Sequence, residues 1–126
     1  MGNLPKISDA EWEVMKVIWG LGEATSSEVI ESLKGKKLWK KATIKSLISR
    51  LLNKEVISFK KFGKEYFYFP LISEEECIKE ESECFLRKVF NGSVNEMLVN
   101  FIKSDNLTKE DINELKNILD EELNKL

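Results

Sequence analysis

The sequence predicts a mainly α fold carrying one small β-hairpin, and three observations support it. Five segments open with Ser or Thr followed three residues later by Glu or Asp, at Ser8, Thr25, Ser73, Ser93 and Thr108. That spacing lets the hydroxyl and the acid satisfy early helix N–H groups reciprocally. After each start, apolar residues recur at three- and four-residue spacing, the period of a helix with one buried face. Only between Val56 and Phe69 does the pattern change to aromatic and β-branched runs around a glycine, the mark of a hairpin.

In chain order, Ser8-Asp9-Ala10-Glu11 caps a helix whose apolar face holds Trp12, Met15, Ile18 and Trp19. Val14 and Val17 widen that face, Glu13 and Lys16 point to water, and Gly20 and Gly22 stop the helix. Thr25-Ser26-Ser27-Glu28 opens a short helix through Val29, Ile30 and Leu33. The linker Lys34–Trp39 leads to a third helix, Lys40–Lys54, with Ile44, Leu47, Ile48, Leu51 and Leu52 toward a core. The last two form a helix-turn-helix. Val56–Phe62 and Tyr66–Phe69, separated by Gly63-Lys64-Glu65 and closed by Pro70, make the hairpin. A hairpin behind a helix-turn-helix is a wing, with Lys60, Lys61 and Lys64 at or near its tip and Phe67 and Phe69 as packing residues.

The rest of the chain is helical. One helix runs from Ser73-Glu74-Glu75-Glu76 to about Phe90, where Asn91-Gly92 ends it. A second follows Ser93 through Met97, Leu98, Phe101 and Ile102. The last follows Thr108 with the stripe Ile112, Leu115, Ile118, Leu119 and Leu123. Some fifty residues of amphipathic helix bury too little surface to stand alone, and pairing with a second copy supplies the missing core. The expected organisation is a winged helix-turn-helix domain over residues 1–72 and a helical dimerisation domain over 73–126.

Charge divides the same way. The net charge is −2, yet residues 1–72 hold 13 Lys/Arg against 8 Asp/Glu while 73–126 hold 7 against 14. Within 34–64 there are 11 basic residues and one acid, Glu55. Opposite its apolar stripe, the third helix carries Lys41, Thr43, Lys45, Ser46, Ser49, Arg50 and Lys54, with no carboxylate. A helix that needs only solubility mixes both signs. Cations with small hydroxyls suit a DNA major groove, where they meet phosphates and base edges.

Other functions fit poorly. Without histidine the chain lacks the commonest general base and any imidazole metal ligand. No phosphate-binding glycine loop is present, and Glu74–Glu76, Glu80, Glu81 and Glu83 read as a solvated helix face, so no enzyme and no cofactor are expected. Cys77 and Cys84 lie seven apart on one helix, too far to bridge each other. They read as small apolar core or interface residues; the alternative is a metal- or redox-responsive regulator, or a protein-interaction module, using both. Trp12 and Trp19 fit a core face, and Trp39 fits packing against the third helix. No apolar run reaches the ~20 residues of a membrane span and no signal peptide is evident, so a cytoplasmic protein without membrane insertion is expected.

The run ISDAEWEVMKVIW, followed by SSEVIESL, TIKSLISRLLNKEVI, YFYFPLI, FLRKVFNGSVNEMLVNFI and EDINELKNIL, resembles the penicillinase-repressor family of bacterial transcriptional regulators. The copper-responsive regulators are its relatives. The resemblance covers nearly the whole chain. It implies a homodimeric winged-helix repressor on a palindromic DNA operator, with interlocked C-terminal helices. It implies that Thr43, Lys45 and Ser46 take base-reading positions, with Arg50 near the backbone. In antibiotic-responsive members a membrane sensor protease or its signalling product triggers cleavage of an Asn–Phe bond, here matched by Asn100-Phe101. Phe101 is equally explained as apolar helix face. The chain departs from the pattern at Lys41-Ala42, where the family commonly has Pro-Lys, which moves a phosphate contact to Lys41. Lys45 replaces a frequent arginine, exchanging a bidentate fork for a point charge. The C-x-C clusters of copper-responsive relatives are absent.

Overall fold

The caps and periods of the sequence reappear as eight elements in the computed structural model, which describes residues 4–126. They are α1 (Asp9–Leu21), α2 (Ser26–Leu33), α3 (Lys41–Asn53), β1 (Ile57–Phe62), β2 (Glu65–Pro70), α4 (Glu74–Phe90), α5 (Val94–Ile102) and α6 (Lys109–Asn124). Two compact units result, one ending at Glu80 and one covering Glu81–Leu126. The first unit therefore takes in the start of α4.

Its core forms where three helices meet. Val14, Met15 and Ile18 of α1 pack with Val29 and Leu33 of α2 and with Ile44, Leu47, Ile48 and Leu51 of α3. Val56, Ile57 and Cys77 close the cluster, while Leu52 and Trp39 lie partly buried at its edge. The hairpin is antiparallel, with Ile57 opposite Pro70 and Phe62 opposite Glu65. Glu65 thus belongs to the strand, and the loop is two residues, Gly63-Lys64, rather than the three the sequence suggests. Gly63 holds φ +65° at the first loop position, the place where a type II′ hairpin turn needs glycine. Beyond its own pairing the hairpin is tied down by reciprocal backbone bonds between Ala24 and Tyr68, 2.8 and 2.9 Å. The Trp19 indole N–H adds a bond to the Ile72 carbonyl at 3.0 Å.

Local signals needed revision at three further places. Gly20 stays inside α1, and Gly22, at φ +83°, caps it. At Ser93 the hydroxyl accepts from the Glu96 N–H, but the reciprocal half of the box is not among the cap's bonds, unlike Ser8, Thr25 and Thr108. Lys54, assigned by periodicity to the cationic face, turns inward instead. Its ammonium lies 2.5 Å from Glu11 Oε1 and donates to the Lys6 carbonyl at 2.8 Å.

Glu11 carries two duties. Its carboxylate accepts from the Ser8 N–H at 2.9 Å as the capping acid, and it is almost fully buried. Burial pushes its pKa up; the Lys54 hydrogen bond, the Ser8 N–H and the Lys54 charge together outweigh that and leave it below the ordinary 4.5.

In the second unit rings stack edgewise, Phe85 on Phe90 at 5.9 Å and Phe90 on Phe101 at 6.5 Å. Yet no residue of α5 or α6 is buried. Ile112, Ile118, Leu119 and Leu123 of the α6 stripe are all exposed.

Removing one partner of a buried ion pair costs about 3–5 kcal/mol, and the third of Lys54 that stays in water lowers this to roughly 1–2 kcal/mol for Lys54→Met. The exposed Lys16–Glu13 pair is the control, where Lys16→Met should cost under about 0.5 kcal/mol by urea denaturation. Because the folded-state pKa of Glu11 is depressed, its contribution is full above the ordinary value. It fades as pH falls through the lower folded value, so the gap between wild type and Glu11→Gln should close in acid. Equal losses for the two lysine variants, or a gap independent of pH, would contradict this account.

Candidate nucleic-acid interface

With Ile44, Leu47, Ile48 and Leu51 buried, the opposite side of α3 must face solvent. Lys41, Thr43, Lys45, Ser46, Ser49 and Arg50 are all exposed. Lys41 and Lys45 lie one turn apart, as do Ser46 and Arg50, so the side chains form a strip along the axis. Among the described residues no ion pair engages Lys41, Lys45 or Arg50. The start of α3 differs from the starts of α1 and α2. Lys40 sits at the N-cap without a side-chain cap bond, and the first turn has no acid. The Thr43 and Ile44 N–H groups already donate to the Lys40 carbonyl, so what this end offers an anion is the Lys41 and Ala42 N–H groups and the positive end of the helix dipole.

The wing adds its own charges. Lys61 is exposed with its ammonium 5.7 Å from the Tyr66 ring centre, and Lys64 occupies the loop. Lys60 is different, since its ammonium lies 3.0 Å from Glu23. Both partners are well exposed, so the pairing is weak and competes poorly with a polyanion. Phe59 packs edgewise on Tyr66 at 5.0 Å, stiffening the strands, while Phe67 and Phe69 are half-buried as packing residues. Phe62 is 80% exposed beside the loop, a position the sequence does not single out. Strand alternation could have found it, because Ser58, Lys60 and Phe62 share one face.

Four further lysines, Lys34, Lys36, Lys37 and Lys40, are exposed around the α2–α3 linker. The sequence reading counted their charge without placing them in the site.

The cysteines separate. Cys77 is in the core of the first unit, and burial, then the nearby Glu76 charge, pushes its thiol pKa up. Cys84 is exposed, and an Arg87 guanidinium N–H donates to its sulfur at 3.5 Å. Among the described residues no cluster of three His, Cys, Asp or Glu side chains could hold a metal ion. No described helix is long and apolar enough to cross a membrane. Asn100 and Phe101 lie in the last turn of α5, both exposed.

Residues 7–121 match the Penicillinase repressor family. The chain is 41% identical to the penicillinase repressor of Bacillus licheniformis over 99% of its own length and 98% of that protein. It is 39% identical to the methicillin resistance regulatory protein MecI of Staphylococcus aureus strain N315, over 90% of this chain and 93% of that one. Among solved structures it is similar to the monomeric form of Bacillus licheniformis BlaI in complex with the blaP half-operator. That match has 39% identity and a TM-score of 0.53, covering 59% of this chain and 90% of the other. The chain belongs to the penicillinase repressor family, a group of DNA-binding transcriptional repressors and not of enzymes.

Proposed function

We propose that this protein is a homodimeric, cytoplasmic transcriptional repressor that reads a palindromic DNA operator with α3 and holds the flanking backbone with its wing. The observation that carries the reading is the two-sided α3, whose core stripe is buried while its cationic, hydroxyl-bearing side is solvent-exposed and free of carboxylates. Thr43, Lys45 and Ser46 serve as base-reading residues. Lys41, Arg50, Lys60, Lys61 and Lys64 serve the phosphates, Lys60 by giving up Glu23. The domain that binds DNA is taken as residues 1–72 and the dimerising region as 73–126. The exposed leucine and isoleucine stripe of α6 supports the second assignment, because a second copy would bury it.

Release follows from the same construction. A membrane sensor protease, or a product of its signalling, would trigger cleavage at Asn100-Phe101. The bond lies in the last turn of α5, where only a short stretch of helix must open for it to become extended. Losing the segment beyond Asn100 removes the α6 stripe and with it the pairing surface.

Binding to a palindromic duplex should weaken with salt by a log–log slope of about −0.9 per phosphate contact. Lys45→Ala should relax preference at one position per half-site, whereas Lys61→Ala should weaken all duplexes about equally, as measured by titration against single-base variants. Uniform losses for both would remove Lys45 from base readout. In sedimentation the chain should run at twice 14.6 kDa, and Leu119→Glu should return it to the monomer mass. In cells given the inducing signal, mass spectrometry should find a fragment ending at Asn100; an intact chain in derepressed cells would exclude cleavage as the trigger.

A further inference from the structure

Between α2 and α3 the structure holds a cavity of about 650 Å³, inside the range of roughly 300–1,000 Å³ typical of small-molecule sites. Its chemistry is two-layered. Ile30, Leu33, Ile44 and Trp39 supply an apolar lining, and Leu33 and Ile44 among them belong to the buried core. Lys34, Lys37, Lys40, Lys41 and Lys45 also line it, against the single acid Glu31. The linker is shaped to this end: Lys34 and Lys37 are bridged through their backbones, and Gly35 between them holds φ +83°. The Lys37 ammonium lies 5.6 Å from the Trp39 ring centre, so positive charge extends onto the indole. Among the described residues none of these five lysines is in an ion pair.

We propose that this cavity is a binding site for a small aromatic carboxylate, whose ring covers the apolar lining while its carboxylate meets the lysines. Charge complementarity selects the occupant. Five ammonium groups around one concavity focus a positive potential that attracts an anion and gives a neutral molecule no advantage. A bare inorganic anion leaves the half-buried Ile30 and Trp39 uncovered, and so forgoes the hydrophobic part of the affinity. Because Lys41 and Lys45 also belong to the DNA face, carboxylate and duplex compete for the same charges. This step rests on the proposed DNA-binding function. By linkage each ligand weakens the other by the same factor. The site would therefore release operator without cutting the chain.

The test uses the full chain and three probes in calorimetry: 2-naphthoate, its neutral carboxamide, and inorganic phosphate. Naphthoate should bind saturably, with the carboxamide and phosphate each at least about tenfold weaker. The rim variant Lys34→Glu/Lys37→Glu, which leaves Lys41 and Lys45 intact, should weaken naphthoate by a similar factor. Equal binding of naphthoate and carboxamide, or of naphthoate and phosphate, would overturn the site as described. So would naphthoate binding that the rim variant leaves unchanged. A chain that binds duplex but no naphthoate overturns the pocket and leaves the repressor reading standing, as a seat for DNA phosphate only. A chain that binds naphthoate but no duplex of any sequence overturns the repressor reading and leaves the pocket. Where both bind, saturating naphthoate should lower duplex affinity; unchanged affinity would overturn the competition.

Discussion

The orientation of α3 about its own axis is the constraint on which its cationic face depends. Ile44, Leu47, Ile48 and Leu51 are each nearly fully buried, and each contributes about 1.5–3 kcal/mol by leaving water. Advancing the helix by one residue would rotate it about 100°. That would drag these side chains toward solvent and press Lys45 or Ser49 into an apolar core, where an ammonium has no partner. The cationic strip is thus held outward by the core behind it, not by any bond of its own. The same logic explains why Lys41, Lys45 and Arg50 can remain without ion pairs: the fold does not need them for stability.

That division was largely legible in the sequence because it is periodic and local. The three-to-four spacing marked the buried stripe of α3, and the hydroxyl–acid pairs placed the helix starts at Ser8, Thr25, Ser73 and Thr108. What the sequence could not show depends on distant partners. Lys54 continues the basic pattern of α3, and nothing nearby marks it as different. Its partner is Glu11, forty-three residues away, itself read only as a capping acid. Likewise Lys60 reads as a wing cation until folding brings Glu23 within 3.0 Å. Cys77 and Cys84 share a helical face by spacing, yet one enters a core and the other faces water, because the packing around α4 changes along its length. Periodicity identifies a face; it does not say how much of that face another element covers.

The Glu11–Lys54 pair also ties two ends of the first unit together. Glu11 lies in the first turn of α1, and Lys54 follows α3 as its C-cap residue. A lysine there suits the negative end of the α3 dipole, and the same ammonium satisfies a carboxylate that burial would otherwise penalise. The start of α1 and the end of α3 are thereby joined next to Val56, the point where the chain turns into the hairpin. A hydrophobic pair at these positions would fill similar space, but it would leave the Ser8 N–H without its capping acceptor. The ion pair is therefore tied to the cap, and neither residue can be exchanged alone.

The two units solve different problems with similar helices. In the first, buried side chains from three helices and a hairpin share one cluster, so its exposed charges are free for another task. In the second, α5 and α6 bury nothing fully, while Val99, Phe101, Ile112, Ile118, Leu119 and Leu123 remain exposed. Single apolar residues on a surface are ordinary, but a stripe at helical spacing is not. Each exposed leucine or isoleucine that a partner covered would contribute on the scale of about 1.5–3 kcal/mol. Three or four per chain could then decide whether α6 holds its place. Stability of the second unit would depend on protein concentration, whereas that of the first would not. Under the proposed pairing, such an arrangement would make association reversible and would leave the cationic face intact when pairing is lost, because the core behind α3 is built from the first unit's own side chains.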